Sequence, residues 1–121
     1  FHCIHTSVTG PIFLEFHSFM GDIYSYYEGL VDWLKERALI LGYETPFRVT
    51  DLQKLCEIQE LESIPDMGEA ISTVIADLQY IEQELDQAIS ASSDDLVTQN
   101  KLLDYQDATG KFRRKLQSIT K

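Results

Sequence analysis

The sequence predicts an all-α fold: a four-helix bundle with a short helix in its middle crossover and a truncated first helix. Two long segments, near residues 12–41 and 71–89, repeat apolar side chains at three- and four-residue steps, the period of an amphipathic helix. Nowhere does the chain show the apolar–polar alternation of a strand, an internal repeat or a low-complexity stretch. Its 121 residues make one domain, 1–121. A chain of that size buries roughly two thirds of the surface its unfolded form exposes, so a core forms without disulfides or metal staples.

The first helix is represented only by its end. Thr9, Gly10 and Pro11 form a tight connection in which Pro suits a first helical turn, so Phe1–Val8 closes a preceding helix whose N-terminal part is missing. The chain opens at Phe1 and its first Met is Met20, which points to an upstream segment processed off or absent. Residues 12–41 then read as one long helix, with Phe16, Phe19, Met20, Ile23, Tyr27, Leu30, Val31, Leu34, Ala38 and Leu41 on its apolar stripe and Gly42 as its stop.

After a loop ending near Pro46, Thr50 and Gln53 have capping-box spacing ahead of Leu52, Leu55 and Ile58, which marks a short helix. Asp66 caps the second long helix, with Glu69 as its capping-box partner, and Ile71, Val74, Ile75, Leu78, Ile81, Leu85 and Ile89 trace its stripe. Ser92–Asp95 break that helix and start the last one, whose Leu102, Tyr105, Thr109, Phe112, Leu116 and Ile119 follow a heptad-like path to the chain end. Gly110 weakens it by about 1 kcal/mol relative to Ala.

Charge is unevenly distributed. Residues 1–110 hold all 20 acidic side chains and five of the ten basic ones, a balance of −15, whereas residues 111–121 carry +5. Nucleic-acid binders neutralise phosphates with a contiguous basic surface, to which only Lys111, Arg113, Arg114, Lys115 and Lys121 contribute here. DNA binding through residues 1–121 is therefore disfavoured, and the basic tail reads as cations complementing a helix macrodipole. Two cysteines, Cys3 and Cys56, make neither a disulfide framework nor a zinc knuckle, and free thiols fit a reducing, cytoplasmic setting. No run of eighteen apolar residues exists to span a membrane.

All three histidines, His2, His5 and His17, lie in the first 17 residues, and antiparallel helices joined at Gly10-Pro11 bring His5 and His17 close. Farther along the long helix, Asp32 and Glu36 are spaced i, i+4, so both carboxylates project from one face and can clasp one cation. Imidazole plus carboxylate suits Fe(II), Mn(II) or Zn(II). Taken singly, a histidine is more often structural and such an acidic pair more often a solvated face. Geometry adds a constraint, because His17 and Asp32 lie about 22 Å apart along one helix at 1.5 Å per residue. One chain cannot close the site. Two copies crossing antiparallel near Tyr26 would set His17 of one against Asp32 and Glu36 of the other, twice over by two-fold symmetry.

The residues that carry this pattern are His5-Thr6-Ser7-Val8-Thr9-Gly10-Pro11, Phe13, His17, Phe19, Tyr24, Asp32-x-x-x-Glu36-Arg37 and Leu41-Gly42. Together they closely resemble the Dps family, the DNA-protection-during-starvation miniferritins of the ferritin-like superfamily. The resemblance is specific over residues 1–42 and architectural beyond. It implies a ferritin-like bundle and an intracellular, dodecameric shell built from two-fold dimers. It also implies Fe(II), non-haem, bound between subunits, oxidised preferably with hydrogen peroxide and stored as ferric mineral, a defence against oxidative stress. His5 and His17 would be ligands from one subunit, with Asp32 and Glu36 from its neighbour; Zn or Mn can stand in for iron.

Departures from the family pattern matter too. Four residues after His17 the family usually has an acidic ligand, where Gly21 stands here, and Asp22 is displaced by about 100° around the helix. Thr6 replaces a common tryptophan, and the last helix lacks the family's acidic and tryptophan-containing pattern. A phage-encoded or otherwise specialised version fits that mixture. With one acid missing, the expectation is one well-held ion per shared site, a weak or absent second, and slow oxidation. Gly21→Asp or Gly21→Glu should improve it and be tolerated on helix propensity.

A di-iron bundle built on Glu-x-x-His pairs is excluded because no such pair occurs, and neither a G-x-S-x-G turn nor a phosphate-binding glycine motif is present. Tyr24, Tyr26, Tyr27 and Trp33 are electron donors if a metal lies near, though aromatics at helical spacing more often pack. The leading expectation is an iron-binding and storage protein with ferroxidase chemistry. The alternative is a catalytically degenerate ferritin-like assembly or interaction protein that kept the fold and lost efficient chemistry. Nucleic-acid protection through a basic extension would need residues outside this sequence.

Overall fold

A computed structural model describes residues 1–119 and is all-α over them. Five helices follow in order: α1 (His2–Ser7), α2 (Phe13–Ile40), α3 (Val49–Leu55), α4 (Met67–Ala91) and α5 (Leu96–Ile119). Four of them form the bundle, and α3 lies in the crossover from α2 to α4. The side-chain registers set the directions. His5 meets His17 and His2 meets Tyr24, so α1 and α2 run antiparallel. Glu82 pairs with Arg113 and Gln99 reaches Ile89, so α4 and α5 run antiparallel. Phe19 meets Phe112 while Arg37 meets Asp95, so α2 and α5 do as well. Helices α2 and α4 are therefore parallel, which requires the long connection that residues 41–66 supply.

Two apolar clusters hold these helices together. Ile4, Val8, Phe16, Met20, Ile23, Ala70, Ile71, Val74, Leu78 and Leu116 pack at the end near the α1–α2 turn. Leu30, Leu85, Leu102 and Tyr105 form a smaller cluster at the other end. Met20, Ile23, Val74 and Leu78 are fully enclosed, and truncating one such side chain to Ala costs about 2–5 kcal/mol.

The α4 cap forms as its spacing predicts: the Glu69 amide donates to Asp66 Oδ1 at 2.8 Å, and the Asp66 amide donates to Glu69 Oε2 at 3.2 Å. Gly10 turns the chain with φ 146° and Gly42 ends α2 with φ 88°, both conformations that side chains with a Cβ rarely adopt.

Four expectations need correction. Thr50 and Gln53 form no capping box. Helix α3 begins at Val49 behind Arg48, which makes no side-chain cap and instead grips Asp51 at 3.0 Å, and it ends before Ile58. None of its residues is buried. The second correction concerns the α2 stripe, which is covered only in its first two thirds. Val31, Leu34 and Leu41 are 51%, 38% and 48% exposed.

Third, Ile119 is exposed rather than on the apolar path of α5. Fourth, among the described residues the last turn of α5 carries no basic residue. Arg113 instead makes a two-pronged bond to Glu82, at 2.5 and 3.1 Å, and Lys111 pairs with Asp107 at 2.6 Å. Lys121 lies outside the described residues.

Candidate metal centre

The turn through Gly10 folds α1 back on α2 and sets His5 over His17. Their rings stack with centroids 4.0 Å apart and planes 19° from parallel. Each ring is tied to the other residue's main chain: His5 Nδ1 donates to the His17 carbonyl at 2.7 Å, and His17 Nδ1 donates to the His5 carbonyl at 2.8 Å. A carbonyl only accepts, so both Nδ1 atoms carry the proton, and in each neutral ring Nε2 holds a free lone pair. That is the tautomer a metal-ligating histidine shows when its second nitrogen is oriented by a main-chain oxygen. The donor chemistry of this pair therefore fits a divalent cation. Phe13 packs on His17 at 5.1 Å and Tyr24 on His5 at 5.3 Å, so both half-buried rings are braced.

Asp32 and Glu36 lie one and two turns beyond Glu28 on α2, and all three are exposed. They are not brought to the histidine pair within the chain. Among the described residues no three His, Cys, Asp or Glu side chains of the one chain are placed to hold a single metal ion together. An open groove of about 630 Å³ is lined by His2, Tyr24, Glu28 and Asp32 among others.

Several features of the site were not read from the sequence. His2 packs at a tilt on Tyr24, with centroids 4.6 Å apart, and lies 6.4 Å from His5, extending the imidazole pair to a row of three. Its spacing of three from His5 was the available signal. Next to Glu36, Arg37 donates to Asp95 at 2.8 Å and to Thr98 at 3.1 Å, tying the α2 end to the start of α5. The hydroxyl of Thr98, bonding at 2.5 Å, together with its amide and the Arg37 guanidinium, holds the Asp95 carboxyl below the usual carboxylate range. Pairings between helices far apart in sequence leave no local trace.

Of the four aromatic residues, Tyr26 and Tyr27 pack against Tyr105 and Phe112, and Trp33 lies under the Lys101 ammonium at 5.6 Å. Cys3 and Cys56 are free thiols on the surface. Among the described residues, no helix is long and apolar enough to cross a membrane.

A bundle with a single long crossover and a histidine pair at one helix hairpin defines a class of protein. Residues 1–121 match the Ferritin family, described as a ferritin-like domain, and the chain belongs to that family. Its particular fold is that of the Dps proteins. The antigen TpF1 from Treponema pallidum superposes with a TM-score of 0.94 at 24% identity, covering 99% of this chain and 79% of that one. A Dps protein from Bacillus brevis gives 0.93 at 24% identity, over 99% and 82%. Dps from Listeria innocua, soaked with zinc, gives 0.92 at 21% identity, over 98% and 82%. No curated protein sequence matches the chain significantly.

Proposed function

We propose that this chain is a Dps-type iron-binding and storage protein, cytoplasmic, that assembles through two-fold dimers into a dodecameric shell. Fe(II) is its substrate, bound between subunits by His5 and His17 of one and by Asp32 and Glu36 of the partner subunit. The single observation that carries this reading is the reciprocal Nδ1–H···O=C pairing of His5 and His17, which leaves the Nε2 lone pair of each ring free for a ligand. Two carboxylates from a neighbour would complete a nitrogen and oxygen set suited to Fe(II), Mn(II) or Zn(II). Each Fe(II) oxidised yields one electron, so two serve one hydrogen peroxide, which takes up two protons and leaves as water. Slow oxidation is expected, because Gly21 supplies no carboxylate to a second ion.

Gly21 also favours a second reading, a ferritin-like assembly whose oxidation chemistry has decayed. Anomalous scattering from crystals soaked in Fe(II) or Zn(II) separates the two. An ion about 2 Å from His5, His17 and a neighbour's carboxylates supports the first; side chains more than about 10 Å apart across every subunit contact, beyond the reach of any metal–ligand bond, overturn it.

A further inference from the structure

We propose that His2 is a third imidazole donor at the shared site and, with Glu28 of the partner subunit, holds a second, weaker divalent cation in the region that Gly21 leaves without a carboxylate. This rests on the shared-site reading above and adds a subsite to it.

His2 precedes His5 by three residues on α1, which puts both on one face. The row of imidazoles therefore continues from His17 through His5, 4.0 Å away, to His2, a further 6.4 Å on. Tyr24, against which His2 packs at 4.6 Å, lies one helical turn beyond Gly21. The His2 ring thus stands about 5 Å along α2 from the missing acid. Unlike His5 and His17, neither ring nitrogen of His2 is hydrogen-bonded among the described residues, so both are open to a ligand.

The opposite half of the subsite comes from the acidic row. Glu28, Asp32 and Glu36 recur every fourth residue along one exposed face of α2. In an antiparallel crossing, each step forward on one helix is a step back on the other. A register that sets His17 between Asp32 and Glu36 of the partner subunit therefore sets Tyr24, with His2 on it, level with Glu28 of the partner subunit. Three donors of nitrogen face three of oxygen. Like charges at i, i+4 repel one another, and cations held between each acidic row and the imidazoles it faces offset that repulsion. Two divalent ions per shared site offset it better than one.

Calorimetric titration of the full chain with Zn(II), with Co(II) absorption as a check on ligation, tests the subsite. The parent is expected to bind two Zn(II) per shared site, the second about ten-fold or more weaker, a factor in the range that loss of a supporting group produces at metal sites. His2→Phe keeps a ring on Tyr24 and removes both nitrogens; it should abolish the second ion and leave the first, as should Glu28→Gln. His17→Ala should abolish the first. A parent that binds one ion only, or a second ion that survives both His2→Phe and Glu28→Gln, overturns the role of His2 while leaving the shared site standing. A first ion unaffected by His17→Ala overturns the shared site itself.

Discussion

Gly21 lies directly beneath the imidazole of His5: a Cβ built on it would sit 3.0 Å from His5 Cε1 and 3.4 Å from Nδ1. The ring cannot easily withdraw, because it is stacked on His17 and bonded to the His17 carbonyl. Helix propensity alone favours every residue but Pro over Gly at this position, by about 1 kcal/mol for Ala. Overpacking typically costs about 1–3 kcal/mol, so contact with His5 cancels that gain. The expectation that Gly21→Asp is readily tolerated therefore has to be revised, since the added carboxylate arrives together with pressure on the His5 ring.

A pair of variants on one helix measures this conflict. Gly29 is also in α2, and a Cβ there meets only Tyr105 Oη, at an ordinary 3.4 Å. Gly29→Ala should therefore raise stability by up to about 1 kcal/mol, whereas Gly21→Ala should leave it unchanged or lower it and weaken Zn(II) binding. Urea unfolding and Zn(II) titration of the two variants check it. Equal stabilisation by both would show that the His5 ring yields without cost.

Sharing of the site between subunits has a distinctive genetic signature. His17→Ala and Asp32→Ala should each abolish tight Zn(II) binding at every shared site when present alone. In a mixed dimer, one site loses both groups and the other keeps both. Co-expression with two purification tags isolates that mixed dimer, which should bind one tight Zn(II) while either pure variant binds none. No recovery in the mixed dimer would mean that the four residues do not act across one interface.

DNA binding by residues 1–121 should be weak or absent at physiological salt. The −15 balance over residues 1–110 repels a polyanion within a Debye length of about 8 Å. The basic stretch is also partly committed, because Arg113 is paired with Glu82 and Lys111 with Asp107. A salt-sensitive mobility shift at submicromolar protein would contradict this.

Much of the fold was legible because it is local. The α4 stripe and its Asp66–Glu69 cap depend on spacing within one helix, and the turn at Gly10 depends on one residue's conformational freedom. The His5–His17 pair was legible too, since a short hairpin between helices leaves little choice of register. What was not legible depends on the neighbours. Val31 and Leu34 continue the α2 period yet stay partly exposed, and Thr50 has a capping spacing that a helix starting at Val49 does not use. In the sequence Gly21 reads only as a missing acid; the structure shows that it also leaves room for the His5 ring.

The last prediction concerns Tyr27, whose phenol ties α2 to α5. Its hydroxyl bonds Thr109 Oγ1, and Thr109 is itself fully buried and bonds the Tyr105 carbonyl at 2.6 Å. Thr109 has one hydroxyl proton and spends it on that carbonyl, so Tyr27 is the donor in the bond between them. Burial pushes the Tyr27 phenol up to about 12. A folded value above the unfolded value of 10.0 means that this group's contribution to stability is intact below pH 10 and is lost as pH rises through about 12. Tyr27→Phe should cost about 1 kcal/mol at neutral pH, the worth of one hydrogen bond, and should flatten the alkaline limb of the stability profile. Tyrosinate absorbance of parent minus variant should give a transition near 12. A difference titration centred at the ordinary value of 10.0 would place the phenol in water and break the link between the two helices.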